Sequence, residues 1–296
     1  MITAVLATLG TLTGVFSIFF FKDFAQNKND LSQTSWGKLL GVGFITDFFD
    51  TLGIGSFAPT TSLFKFGKMV DDKVLPGTLN VGHTIPVVLE AFLFIAVIEV
   101  DPLTLILLLG AATLGAVLGA GVVANLPVKK IRIGMGVALL AVAFTMIAGQ
   151  LGWMPSGGEA IGLTGTKLII GVVGNFILGA LMTIGVGLYA PCMALVYALG
   201  MSPRVAFPIM MGSCAFLMPA AGMRFVKEKA HDRKASMGLT VGGVVGVFIA
   251  YYIVKSLPIK MLTWLVIGVI ISTSITMLKE AMKQVSEEAE GDKAVV

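Results

Sequence analysis

The chain has 296 residues and a mean hydropathy of +0.93, is 56% hydrophobic and only 13% charged, and carries 36 glycines and a net charge of +4. Charge is about half the ~25% of an ordinary soluble domain, which excludes a soluble globular enzyme and points to a polytopic helical membrane protein. The basic excess reads as loop anchoring, so nucleic acid is excluded as a partner and the lipid bilayer is the surrounding one.

In chain order the apolar segments begin with Met1 to Phe21, which has no basic residue before it and carries Lys22 after it. That pattern predicts a retained extra helix (1–21) with its N-terminus outside, rather than a cleaved signal. Segments 37–68, 78–98, 102–125 and 133–151 follow, then 167–199, 203–225, 236–254 and 260–278, and a cytoplasmic tail over 279–296. A crossing needs about 20 residues, and seven of the nine segments fit one crossing each. The segments 37–68 and 167–199 run longer and are interrupted by Gly53-Ile54-Gly55 and Gly185-Val186-Gly187. Each is either one broken crossing or a re-entrant hairpin.

Lysine and arginine decide between these. With single crossings the two sides hold 12 and 9 basic residues, whereas with two hairpins they hold 17 and 4. The positive-inside rule selects the hairpins and places the C-terminus in the cytoplasm. Two units then follow the first helix, 37–151 and 167–278, each a hairpin and three crossings. Three crossings is an odd number, so the second unit is inverted relative to the first, the usual construction of secondary transporters.

An internal repeat supports the units independently. Thr51 to Pro59 aligns with Thr183 to Pro191 at an offset of 132, sharing T-x-G-x-G-x-x-A-P. A second echo sets Ala111, Gly115 and Gly119 against Gly238, Gly242 and Gly246, a small-residue spacing that lets helices approach closely. In each hairpin the glycines let the chain leave one helix, and the proline is tolerated in the first turn of the next. Free N–H groups at that restart make a donor-rich hollow suited to an anion, and two such tips from inverted units would face each other.

At this motif the chain resembles the sulfite exporter TauE/SafE family of membrane permeases, over Leu39 to Leu278. Family members often carry three successive glycines where this chain has Gly55-Ser56-Phe57 and Gly187-Leu188-Tyr189. That departure bears on substrate more than on fold. The resemblance implies transport of small sulfur-containing or carboxylate anions such as sulfite or an organosulfonate.

Ionisable groups at membrane depth are costly and therefore candidate functional groups. Within the apolar segments these are Asp47, Asp50, His83 and Glu90. Asp47 and Asp50 share one helix face before the first tip, where they serve either as proton carriers or as caps in a wet vestibule. His83 is either a bonded core histidine or a proton relay, and Glu90 joins its network or marks the outer vestibule. The expected substrate contacts are Thr51, Gly53, Gly55, Ser56, Thr60, Thr183, Gly185 and Gly187, with Asn175 and Cys192 as further candidates. The tail with Glu287, Glu288, Glu290 and Asp292 reads as disordered.

The leading expectation is a proton-coupled secondary transporter of a small anion in the plasma membrane, working by alternating access around a midplane site. A cation carrier and a passive anion channel are the alternatives on the same fold. An enzyme is not expected, because neither a paired Ser/His or Asp/Asp constellation on neighbouring segments nor a nucleotide-binding loop is present. No metal or cofactor motif occurs, the two cysteines are expected to be reduced, and a homodimer through a glycine face is compatible with the pattern.

Overall fold

The computed structural model describes residues 2–94, 99–185, 187–253 and 259–293. The expected helix 78–98 and the tail 279–296 therefore end partly outside the described residues. Among the described residues there are twelve helices and no strand. Seven of them are long and apolar enough to cross a membrane. The protein is a multi-pass membrane protein.

Helix α1 (Ile2–Gln26) is the extra helix, and α2 (Trp36–Thr51) and α3 (Phe57–Gly67) are the arms of the first interrupted segment. The next crossing is itself divided, into α4 (Leu75–Gly82) and α5 (Thr84–Phe94). Its break falls at His83, ahead of Pro86, because the proline ring disfavours the regular helical turn before it. Then come α6 (Pro102–Val123) and α7 (Val128–Gln150). The second interrupted segment forms α8 (Gly165–Met182) and α9 (Tyr189–Ala198), followed by α10 (Pro203–Lys227), α11 (Arg233–Ile253) and α12 (Ile259–Lys293). Helix α12 thus runs through the acidic stretch expected to be disordered. Its glutamates, alanines and lysines are good helix formers and extend the turns already nucleated in the bundle.

Hydrogen bonds at the two ends of the bundle show that both interrupted segments are hairpins. The Thr34 hydroxyl, just before α2, donates to the Met69 carbonyl, just after α3, at 2.8 Å. The end where they meet also joins Arg233 to Asp23 (2.7 Å), Arg132 to Asp72 (2.6 Å) and Lys73 to the Leu126 carbonyl beyond α6. Glu280, at the start of the tail, lies 3.6 Å from Arg132 at the same end, and with it these are the connections to which the charge count assigned the 17 basic residues. At the other end the Asp101 amide donates to Ile161 (2.9 Å) and the Ser202 amide to Ala160 (2.8 Å), which brings the entry to α8 beside the exit from α9. Helix α6 starts at this end and finishes at the first, with about 33 Å between. The two hairpins therefore enter from opposite ends.

Inside, α2 packs along α11 and α8 along α6, while α7 pairs with α12 and α10 lies at the centre against α4, α5 and α6. Glycines set the two close pairs. A Cβ on Gly246 would lie 2.3 Å from the Phe44 carbonyl oxygen, and one on Gly115 would lie 2.0 Å from that of Phe176. Phe44 and Phe176 are 132 apart, so Gly115 corresponds to Gly246. The sequence echo, which matched Gly115 to Gly242, is one helical turn out of register. Small residues recurring every four positions look the same after a four-residue slip, so spacing alone could not fix it. Outward-facing Leu114, Leu118, Val122 and Ile169 give the bundle the apolar exterior that lipid requires.

Candidate functional site at the meeting of the hairpin tips

Each tip is built as its sequence demands. Gly53 (φ +88°) and Gly55 (φ +92°) adopt backbone that an L side chain rarely takes, and Gly185 (φ +103°) does so in the second hairpin. The helices restart at Phe57 and Tyr189, and neither N-cap residue, Ser56 or Leu188, caps the new helix with its side chain. The first-turn N–H groups of both restarts therefore lack a side-chain cap.

The tips come together around one small interior cavity. Asp50, Gly55, Ser56 and Phe57 of the first hairpin line it with Met182, Gly187, Leu188 and Tyr189 of the second, and Val87 and Cys214 close the sides. Its free volume, about 10 Å³, is near the least that admits a single water, so this conformation leaves no room for a larger ligand. The lining contains one carboxyl and no lysine or arginine.

Around the cavity the four ionisable residues of the apolar segments form a continuous buried network. Ser56 Oγ donates to Asp50 Oδ2 at 2.9 Å. Asp47 Oδ1 and Oδ2 lie 2.8 and 3.0 Å from His83 Nδ1, and His83 Nε2 lies 2.9 Å from Thr60 Oγ1. The Thr60 hydroxyl is also bonded to the Ser56 carbonyl at 2.8 Å, which ties the imidazole to the tip. Thr51 Oγ1 is 2.8 Å from Glu90 Oε1, and the Tyr189 hydroxyl donates to Glu90 Oε2 at 3.2 Å. Glu90 is fully buried, so it does not mark an outer vestibule as the sequence allowed. Asp47 has room only because its neighbour on α11 is glycine: a Cβ on Gly243 would sit 2.1 Å from Asp47 Oδ2.

The structure does not bring every expected residue to this place. Asn175 donates to the Leu108 carbonyl (2.8 Å) and to Ser213 Oγ (2.9 Å), and Cys192 Sγ lies 3.7 Å from Asn175 Oδ1, in a separate polar cluster between α8, α9 and α10. Thr183 bonds the Ala180 carbonyl at 2.6 Å, and the Gly185 backbone lies against Met135 and Leu79. Sequence reasoning passed over Tyr189, Cys214, Val87 and Met182. Tyr189 was findable, since it stands 132 positions from Phe57 and immediately follows the second tip. Among the described residues no group of three or more His, Cys, Asp or Glu is placed to hold a metal ion.

The model of the sulfite exporter TauE/SafE family matches residues 168–295, from the start of α8 through the end of α12. This supports the TauE/SafE resemblance. No curated protein and no solved structure matches the chain. The TauE/SafE match covers the second hairpin and its three following crossings, while the first hairpin is tied to it by the nine-residue repeat and by the tips' shared cavity.

The TauE/SafE family is one of transporters, and the interior of this chain is asymmetric. At the 132-residue offset Pro76 falls on Pro208, but Asp47, Asp50, His83 and Glu90 fall on Gly179, Met182, Ala215 and Gly222. These four buried groups thus belong to residues 37–151 alone.

Proposed function

We propose that the protein is a secondary transporter that moves a small anion, a sulfur oxyanion or organosulfonate, through the cavity between the hairpin tips, with protons as the coupling ion. Units 37–151 and 167–278 act as an inverted repeat, with α1 outside it, the N-terminus outside and the C-terminus in the cytoplasm. The observation that carries this reading is the convergence of two uncapped helix restarts from opposite ends on one small cavity.

The charge of the site supports proton coupling. An anion entering the cavity meets Asp50 and no fixed cation, and an ionised carboxylate a few ångströms away would repel it at low dielectric. A proton on Asp50 removes that repulsion and leaves Ser56 and the tip N–H groups as donors. Carriage of the anion then requires a proton to accompany it. Asp47 and His83, held together beside the tip, supply a relay.

The test is flux of labelled sulfite, a C2 sulfonate and a C2 carboxylate into liposomes containing the purified protein, with and without a pH gradient, beside Asp50→Asn. Saturable flux that follows the gradient and loses that dependence in the variant is the expected outcome. Absence of flux for all three anions overturns the substrate assignment. A second reading is favoured by one observation, the carboxyl-only charge of the site: a cation carrier. In that case Asp50→Asn abolishes substrate binding instead of changing its pH dependence.

A further inference from the structure

Glu90 has no part in the reading above, yet its surroundings fix where a proton must be. Thr51 Oγ1 lies 2.8 Å from the Asp47 carbonyl oxygen and 2.8 Å from Glu90 Oε1. A hydroxyl has one proton and a carbonyl oxygen can only accept. Thr46, Thr78 and Thr84 of the same region donate to the carbonyl four residues back, the common habit of helical threonine, and Thr51 is placed to do the same. If its proton goes to Asp47, the second short contact needs a proton from the carboxyl. If its proton goes to Glu90 instead, two oxygens stand 2.8 Å apart with no hydrogen between them.

We infer that Glu90 is protonated in this conformation and is a proton-binding site of the carrier, donating from Oε1 to Thr51 while Oε2 accepts from Tyr189 of the second hairpin. In this arrangement all three groups are satisfied, as burial demands. The charged and titratable groups that face Glu90 are Asp47 and Asp50 from α2, Tyr189 from α9 and Cys214 from α10. None of them is a fixed cation.

The same accounting gives the site its mechanical consequence. When Glu90 loses its proton, Thr51 must swing its hydroxyl from the Asp47 carbonyl to the carboxylate. Thr51 is the last residue of α2, two positions before Gly53, so proton release acts directly on the first tip. Tyr189 gives the second tip a bond to the same carboxyl. It is a positioning residue: Phe57, its counterpart, has no hydroxyl and lies against His83 at 5.7 Å between ring centroids. This mechanical step rests on the proton-coupled reading, whereas the protonation does not.

Infrared difference spectroscopy on the full-length protein in lipid tests it without any transported substrate. The wild type at neutral pH should show the carbonyl stretch of a protonated carboxylic acid, shifted by deuterium exchange and lost reversibly as the pH is raised. Glu90→Gln should remove that band while keeping the fold, since its amide donates to Thr51 and accepts from Tyr189. Asp50→Asn should retain it. Thr51→Val should move the band to higher frequency by removing the acceptor. A wild-type spectrum without the band, a band that survives Glu90→Gln, or one that Asp47→Asn removes overturns the inference. A band present at every pH at which the protein stays folded overturns the carrier role and makes Glu90 a fixed internal acid. If liposome flux is absent while the band behaves as expected, the transport reading fails and the proton site stands.

Discussion

Substitution of Gly243 by alanine should uncouple the carrier by displacing Asp47. The new methyl would lie 2.1 Å from Asp47 Oδ2, 2.8 Å from its Cγ and 2.7 Å from Pro86 Cγ. Ordinary contact needs about 3.5 Å, so the carboxyl has to retreat by more than about 1 Å. The Asp47–His83 contacts of 2.8 and 3.0 Å then stretch to about 4 Å, beyond hydrogen bonding. Loss of a buried hydrogen bond to a charged group costs about 1.5–3 kcal/mol and overpacking about 1–3 kcal/mol. Together these predict a loss of about 3–5 kcal/mol, read from unfolding midpoints in denaturing detergent. In an Asp47→Ala background only the contact with Pro86 remains, and the cost of Gly243→Ala should fall by about 2–3 kcal/mol. Gly246→Ala is the control. Its methyl would strike the main chain at Phe44, so its cost should be the same with or without the Asp47 carboxyl. Equal cost of Gly243→Ala in both backgrounds, or wild-type pH dependence of flux in the single variant, would refute the reasoning.

Gly53→Ala and Gly55→Ala should each destabilise by about 1–2 kcal/mol, the cost of a side chain at positive φ, because neither position is sterically crowded. Asparagine should cost less than alanine at both, and neutrality of the alanine variants in the same detergent assay contradicts the tip geometry. A small membrane-permeant thiol reagent should inhibit flux through Cys214, which lines the cavity, and not through Cys192, which packs against Asn175. Inhibition that persists in Cys214→Ser and disappears in Cys192→Ser overturns the placement. The Thr104 hydroxyl and amide hold the Asp101 carboxyl below its ordinary value at the start of α6. A depressed folded value means that this capping contribution is complete above the unfolded pKa and disappears as pH falls through the folded one. Thermal stability should therefore drop on acidification through that window, and Asp101→Asn should lose that part of the pH profile.

The hairpins were legible in the sequence because two independent physical constraints point to them. Glycine at positive φ followed by proline in a first turn marks a helix that stops and restarts, and the basic residues sort the connections by end. The bonds Thr34 to Met69 and Ser202 to Ala160 close the hairpins as the charge count required. What stayed hidden depends on rotation about helix axes and on distant partners. Cys192 and Cys214 both lie in apolar segments, and only packing tells which one faces the cavity. Glu90 was visible as a buried acid, but its partners Thr51 and Tyr189 stand 39 and 99 positions away. The slip of one turn in the glycine echo has the same origin, since a pattern with a four-residue period carries no origin of its own.

The unequal loading of two similar halves has a steric basis as well as a functional one. Where the first unit sets Asp47 on α2, the facing helix supplies Gly243; at the equivalent place the second sets Gly179 against Ala112. A Cβ on Gly179 would lie 2.1 Å from the Ala112 carbonyl oxygen, so α8 and α6 touch main chain to main chain where α2 and α11 leave space for a carboxyl. An acid at 179 would have to push α6 away, whereas an acid at 47 is already housed. In the proposed alternating access, similar backbones at the two tips would let each hairpin open toward its own end. In the proposed proton-coupled cycle, carboxyls present once would let a single set of protonation events reach both tips, through Thr51 at the first and Tyr189 at the second. A symmetric pair of acid clusters would instead place two sets of like charge around one cavity with no lysine or arginine in its lining, and would repel the anion of the proposed function.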